Sequence, residues 1–118
     1  MIAIDIETIQ YLRTLSPDPA FLQTLIEAFI ADTIMEIPRM KEAYKKEDTV
    51  LLKHIAHKYK SSSRNLGATK LMLLCLHIEN MVGEGKGTSP TIVKKLELLE
   101  AEAKQAVIEL EEIKKNNK

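Results

Sequence analysis

The chain has 118 residues, a length that holds one hydrophobic core and leaves no room for a kinase catalytic domain beside it, so one domain over residues 1–118 is expected. Lys and Arg number 17, as do Asp and Glu, which excludes a global basic field for nucleic acid and an acidic disordered tail. Any electrostatic function has to come from a local patch.

The start, Met1-Ile2-Ala3-Ile4-Asp5, has neither a basic region nor a long apolar stretch, so no signal peptide is expected. Few aromatic residues, four glycines and abundant Leu, Ile, Ala, Glu and Lys predict an all-helical protein. A short helix over about 5–14 comes first. Ser16-Pro17-Asp18-Pro19 then breaks the chain, with Asp18 placed as N-cap and Pro19 at the first helical position, where a missing N–H costs nothing. Leu22, Leu25, Ile26, Phe29 and Ile30 form the apolar stripe of the second helix. Pro38 is expected to kink or restart it, because proline lacks the donor and clashes with the preceding turn; Met40 and Tyr44 continue the stripe toward Lys45-Lys46-Glu47-Asp48.

Asp48 is the expected cap of the next helix, which runs to about Asn65 and ends at Leu66-Gly67, the glycine being free to take the left-handed conformation. Thr69 is expected to cap a helix to about Val82. That helix contains the apolar run Leu71–Ile78, too short to cross a membrane, and the lone Cys75, which suits a core position in a reducing compartment. Gly83-Glu84-Gly85-Lys86-Gly87-Thr88 reads as a flexible loop, and Ser89-Pro90 starts the last helix as N-cap and first-turn proline. In that helix Ile92, Leu96, Leu99, Ala103, Ala106, Leu110 and Ile113 alternate four and three residues apart, the seam of a helix packed nearly antiparallel in a left-handed bundle. Only the Lys114–Lys118 end reads as frayed.

The chemistry concentrates between 48 and 65. At about 100° per residue, Leu52, Ile55, Tyr59, Ser62 and Leu66 share one narrow side of the helix. His57 falls roughly opposite, with Lys53, Ser61 and Arg64 within about 40° of it and His54 and Lys60 within about 60°. The exposed face argues against a core histidine and leaves an idle surface imidazole or a functional one. Imidazole, with an ordinary pKa of about 6.5, is largely neutral near pH 7 and attacks phosphorus with a ring nitrogen without a base to activate it. Lys60, one turn on, is placed to pair with phosphoryl oxygens as a mobile charge, or is simply a solvated lysine. Ser61 leaves room for an incoming loop and carries a hydroxyl donor; alternatively, Ser61, Ser62 and Ser63 merely lower helix propensity.

At these residues the sequence resembles the histidine-containing phosphotransfer (HPt) domain of two-component phosphorelays, whose motif reads roughly H-x-L-K-G-S/A-S-x-x-L-G-A. His57, Lys60, Ser62, Ser63, Leu66, Gly67 and Ala68 match it. Tyr59 stands where leucine is usual, and Ser61 stands where a glycine lets the receiver domain approach the histidine. The likeness extends over about residues 5–113, down to a leucine-glutamate ending at Leu76-His77-Ile78-Glu79. It implies an antiparallel four-helix bundle with a short leading helix, and a phosphocarrier, not an enzyme, whose His57 exchanges a phosphoryl group with a receiver-domain aspartate.

The resemblance further implies no intrinsic cofactor, with Mg²⁺ supplied by the partner, a response-regulator receiver domain or a hybrid histidine kinase. The absence of a P-loop agrees: the glycines at 83–87 lack the G-K-S/T ending. Glu79, twenty-two residues after His57, has the separation found in the chemotaxis-kinase branch, where a glutamate orients the imidazole; a boundary salt bridge is the alternative. His54 and Arg64 are candidates for phosphoryl or partner binding, or plain surface residues, and His77 has no role. A cytoplasmic monomer that contacts neither nucleic acid nor membrane is expected. Two other functions remain open: a bundle that binds partners without phosphotransfer, for which Ser61 is the only sequence support, and a metal-binding bundle, which lacks the Glu-x-x-His pairs such sites use.

Overall fold

The computed structural model describes residues 2–117, and among them the regular structure is helical throughout: α1 (Ile6–Thr14), α2 (Pro19–Lys45), α3 (Thr49–Asn65), α4 (Thr69–Gly83) and α5 (Thr91–Lys115). Helices α2 to α5 form an antiparallel four-helix bundle in which each touches its two neighbours in the ring, and α1 packs on α2 as a short leading helix. The long axis measures 45 Å. At about 1.5 Å per residue α2 alone covers nearly all of it.

Local chemistry sets most boundaries. Asp5 accepts from the Glu7 N–H, Asp18 from the Ala20 N–H with Pro19 beginning the helix, and Asp48 from the Leu51 N–H, each quieting an orphan donor of a first turn. Ser89 caps α5 through the Thr91 N–H at 3.2 Å, although the regular helix is counted from Thr91. Gly67 takes φ +78°, and the Ala68 N–H returns to the Ser63 carbonyl at 2.8 Å, the closing bond of a Schellman turn. The turn is occupied at close quarters: the Asp5 N–H donates to the Gly67 carbonyl, and a Cβ on Gly67 would stand 2.8 Å from Thr8 Cβ. The segment that starts α1 is thereby seated on the α3–α4 turn.

Several expectations change. Thr69 is not a cap; α4 begins there after buried Ala68, with no side-chain cap bond, because the tight turn at Gly67 restarts the helix one residue earlier. Helix α2 does not restart at Pro38. The Ile34 carbonyl that Pro38 deprives of a donor belongs to a residue 71% exposed, where water can serve it, while buried Ile37 and Met40 hold the turns on either side. On α3 the buried serine is Ser63 and not Ser62, which is half-buried and donates to the Asp32 carboxylate at 3.3 Å. Buried Ala56 and Ser63, seven residues apart, widen the packed face of α3 with small side chains.

The core runs along Leu22, Ile26, Phe29 and Met40 of α2, Leu52, Ile55 and Tyr59 of α3, Leu71, Cys75 and Ile78 of α4, and the α5 seam from Ile92 to Leu110, with Ile113 partly covered. Burial, aided by the nearby Glu79 carboxylate, pushes the Cys75 thiol up to about 12 and keeps it in its inert protonated form. The last helix is regular through Lys115, past the Lys114 start of the expected fraying.

Candidate functional site

Tyr59 fixes the rotation of α3. Its ring stacks on Phe29, with centroids 5.7 Å apart and planes inclined by 18°, and its hydroxyl lies 2.7 Å from Thr33 Oγ1. Burial raises the phenol above its ordinary range, so it remains a neutral hydrogen-bonding group. A leucine would fill the space without the polar anchor. With Tyr59 held inward, His57 two residues earlier is turned out, its side chain 65% exposed.

Glu79 reaches His57 from α4. Its Oε2 lies 2.8 Å from His57 Nδ1 and its Oε1 lies 2.7 Å from Lys60 Nζ, so one carboxylate joins the two residues of α3. The side chains of Glu79 and Lys60 are 11% and 18% exposed. Burial alone would raise the Glu79 carboxyl, but contacts from Lys60 and then His57 outweigh it and hold the group below its ordinary value. An ionised carboxylate carries no hydrogen, so the bond to Nδ1 requires Nδ1 to be the protonated nitrogen of the ring. In the neutral ring Nε2 is then left with a free lone pair.

The arrangement departs from the helical-wheel expectation in one respect. Lys60 is neither mobile nor solvated: the 60° offset from His57 directs it toward α4, and it lies folded against Glu79. The structure thus brings His57, Lys60 and Glu79 together. Ser61 is half-buried while His54 and Arg64 are exposed, and none of these three makes a side-chain hydrogen bond or ion pair among the described residues. Lys53, which the helical wheel places near His57, is exposed, its ammonium 4.0 Å from the position a Cβ on Gly83 would occupy. Among the described residues no three His, Cys, Asp or Glu side chains converge as a metal-ligand set.

The solvent-facing imidazole of the motif has one nitrogen tied to a buried carboxylate, and the family model of the Hpt domain matches residues 24–113, well over half of the chain. The chain belongs to the Hpt domain family. Its fold is similar to the crystal structure of histidine-containing phosphotransfer protein B from Pseudomonas aeruginosa PAO1, with a TM-score of 0.88 and 22% identity over 98% of this chain and 97% of that one. At that identity the likeness establishes the architecture. No curated protein matches the sequence at a significant level. Family membership makes this Hpt domain a histidine phosphotransfer carrier of the phosphorelay type, in preference to a scaffold without the chemistry. Hpt domains interact with receiver domains and histidine kinases, and among the described residues no helix is long and apolar enough to cross a membrane.

Proposed function

We propose that His57 is the residue that carries the phosphoryl group, and that it does so on Nε2. The observation that supports this is the bond from Nδ1 to Glu79, which in the neutral ring leaves Nε2 unprotonated on a side chain that is 65% exposed. In the accepting direction the Nε2 lone pair attacks the phosphorus of a receiver's aspartyl phosphate. The N–P bond forms as the O–P bond breaks, and the aspartate leaves as a carboxylate. Because Nδ1 keeps its proton, the ring gains a positive charge as the bond forms, next to the carboxylate of Glu79. Donation to a second receiver is the same step reversed, so the direction of flow is set by the partners. Glu79 is a positioning residue and Lys60 keeps it ionised.

The surroundings of His57 do not suit a resident Mg²⁺, since the one carboxylate at the site is shared by an imidazole and an ammonium. We therefore assign the metal to the receiver partner, where it supplies charge neutralisation at the phosphoryl group. In this reading the protein is a stoichiometric carrier rather than an enzyme, a cytoplasmic monomer that meets a response-regulator receiver domain or a hybrid histidine kinase over the His57 face. Ser61, half-buried one turn beyond His57, stands at the edge of that face, with His54 and Arg64 as further contacts. Incubation with a phosphorylated receiver and Mg²⁺ is expected to give an acid-labile, alkali-stable label on the protein. Retention of that label by His57→Gln overturns the assignment.

A further inference from the structure

Helix α2 buries a carboxylate beside the face that carries His57. Glu36 is 2% exposed, its Oε1 lies 2.7 Å from Arg39 Nη1, and its Oε2 has no hydrogen-bond partner among the described residues. Arg39, three residues on, is 45% exposed. Such a pair is a poor device for stability: taking a carboxylate out of water costs more than one bond to a half-exposed arginine recovers, and apolar residues of the same volume would pack at least as well. What the pair does provide is position. A surface arginine ordinarily samples many rotamers, whereas this one is tied at one nitrogen while most of its N–H groups remain for another acceptor.

Two contacts between α2 and α3 show where that arginine stands. The Ser62 hydroxyl donates to Asp32 at 3.3 Å, and the Thr33 and Tyr59 hydroxyls meet at 2.7 Å, so the antiparallel helices pass each other with Asp32 opposite Ser62. Arg39 is two turns beyond Asp32 and within about 20° of the same side of α2, which brings it to the α3 edge at about the level of residue 55. Lys41, turned to the other side of α2, pairs with Glu100 of α5. His57 faces outward two residues from that level, so Arg39 and the imidazole share one face at about 10 Å, the spacing of packed helices, and one partner patch of about 800 Å² covers both. The face is basic. Arg39, Lys53, Lys58 and Arg64 are exposed on it or at its edges, while Asp32 is engaged by Ser62 and Glu42 by Lys46. In a chain whose charges cancel overall, that local excess fits an acidic partner surface.

We propose that Arg39, pinned by buried Glu36, is a docking residue that takes a surface carboxylate of the receiver domain as that domain approaches His57. The inference rests on the phosphotransfer reading of the His57 face. Arg39 has no part in the chemical step; it acts on the encounter, raising the rate at which the two proteins meet in register. An anchored guanidinium suits this role, because its planar fork meets a carboxylate through two parallel N–H bonds and little side-chain freedom is left to lose on binding.

The test removes the arginine without stranding its buried partner, by combining Glu36→Leu with Arg39→Gln, since Arg39→Gln alone leaves Glu36 unpaired and risks unfolding. Transfer is followed from a phosphorylated receiver domain below saturation over a range of salt, and partner-free loading is followed with phosphoramidate, a P–N donor that phosphorylates imidazoles directly. The double variant is expected to accept the phosphoryl group from the receiver about threefold to tenfold more slowly at low salt, to approach the wild-type rate at high salt where the contact is screened, and to load from phosphoramidate at the wild-type rate. Circular dichroism checks that the bundle is intact. Transfer from the receiver with wild-type rate and salt dependence overturns the docking role. So does a loss shared equally by phosphoramidate loading, which reports a disturbed His57 site, and so does a deficit that salt leaves unchanged. Label that survives in His57→Gln overturns instead the assignment of His57 on which the inference rests.

Discussion

Replacing Glu79 separates its two roles. Its Oε2 accepts from His57 Nδ1 and its Oε1 neutralises Lys60. A hydrogen bond between an ionised acceptor and its donor contributes about 1.5–3 kcal/mol, and with His57 65% exposed the low end applies. About 1.5 kcal/mol is about tenfold in rate. Glu79→Ala is therefore expected to slow phosphoryl loading of His57 about tenfold. Glu79→Gln retains an amide oxygen that can accept from Nδ1 but loses the charge that meets the developing imidazolium, so its rate should fall between the two.

Stability moves for a different reason. Either variant leaves Lys60, 18% exposed, without its partner, at a cost of about 1–3 kcal/mol in urea unfolding. Combining Glu79→Leu with Lys60→Met removes both charges and should recover most of that loss while loading stays slow. The assay is phosphoramidate loading in parallel with ¹⁵N NMR of the imidazole, which reads the tautomer directly. The wild type is expected to show Nδ1 protonated and Nε2 bare, and Glu79→Ala to lose that preference. A wild-type ring with its proton on Nε2, or loading of Glu79→Ala within about twofold of the wild type, refutes the reasoning.

Ser61→Gly should speed transfer from a receiver, if the hydroxymethyl group obstructs docking, while leaving phosphoramidate loading unchanged and costing about 0.5–1 kcal/mol of helix stability; slower transfer from the receiver would point instead to a useful hydroxyl. Gly67→Ala is expected to cost about 2–3 kcal/mol in urea unfolding, because φ is +78° and the added Cβ meets Thr8 Cβ at 2.8 Å and the Asp5 carbonyl at 3.0 Å. An unchanged urea midpoint would refute that. Acid should destabilise the bundle in a defined window. At Glu79 burial is outweighed by Lys60 and His57, and at Glu109 burial is outweighed by Gln105 and the Ala3 and Ile4 N–H groups; both carboxyls are held below the ordinary value of 4.5. The unfolded chain binds those protons first, so their stabilisation is full above about pH 4.5 and is lost as the pH falls through the lower folded values. A urea midpoint that rises on acidification below about pH 4.5 contradicts this, and Glu109→Gln should make the decline shallower.

The features legible in the sequence are those whose cause is local. Asp18-Pro19 and Asp48 cap helices because the groups they satisfy are two or three residues away, and Gly67 ends α3 because only the backbone of that one residue has to take a left-handed turn. The outward direction of His57 follows from a periodicity that spans only one helix. Errors arise where another helix decides. Pro38 is carried through α2 by packing on both sides of it, and Ser63 is buried in preference to Ser62 because the packed face of α3 is wider than its large apolar residues indicate. Lys60 is the instructive case: an angle from His57 states which way the lysine leaves the helix, not that a carboxylate nineteen residues later will be waiting there.

That carboxylate gives the site its logic. A surface histidine held by a fully solvated glutamate would lose its orientation to water, and a buried glutamate without a cation would be driven toward its neutral form, which need not accept from Nδ1. Lys60 resolves the conflict by keeping Glu79 ionised while the carboxylate stays largely covered. The nucleophile therefore has a defined tautomer in an otherwise exposed position, where a receiver's aspartyl phosphate can reach it.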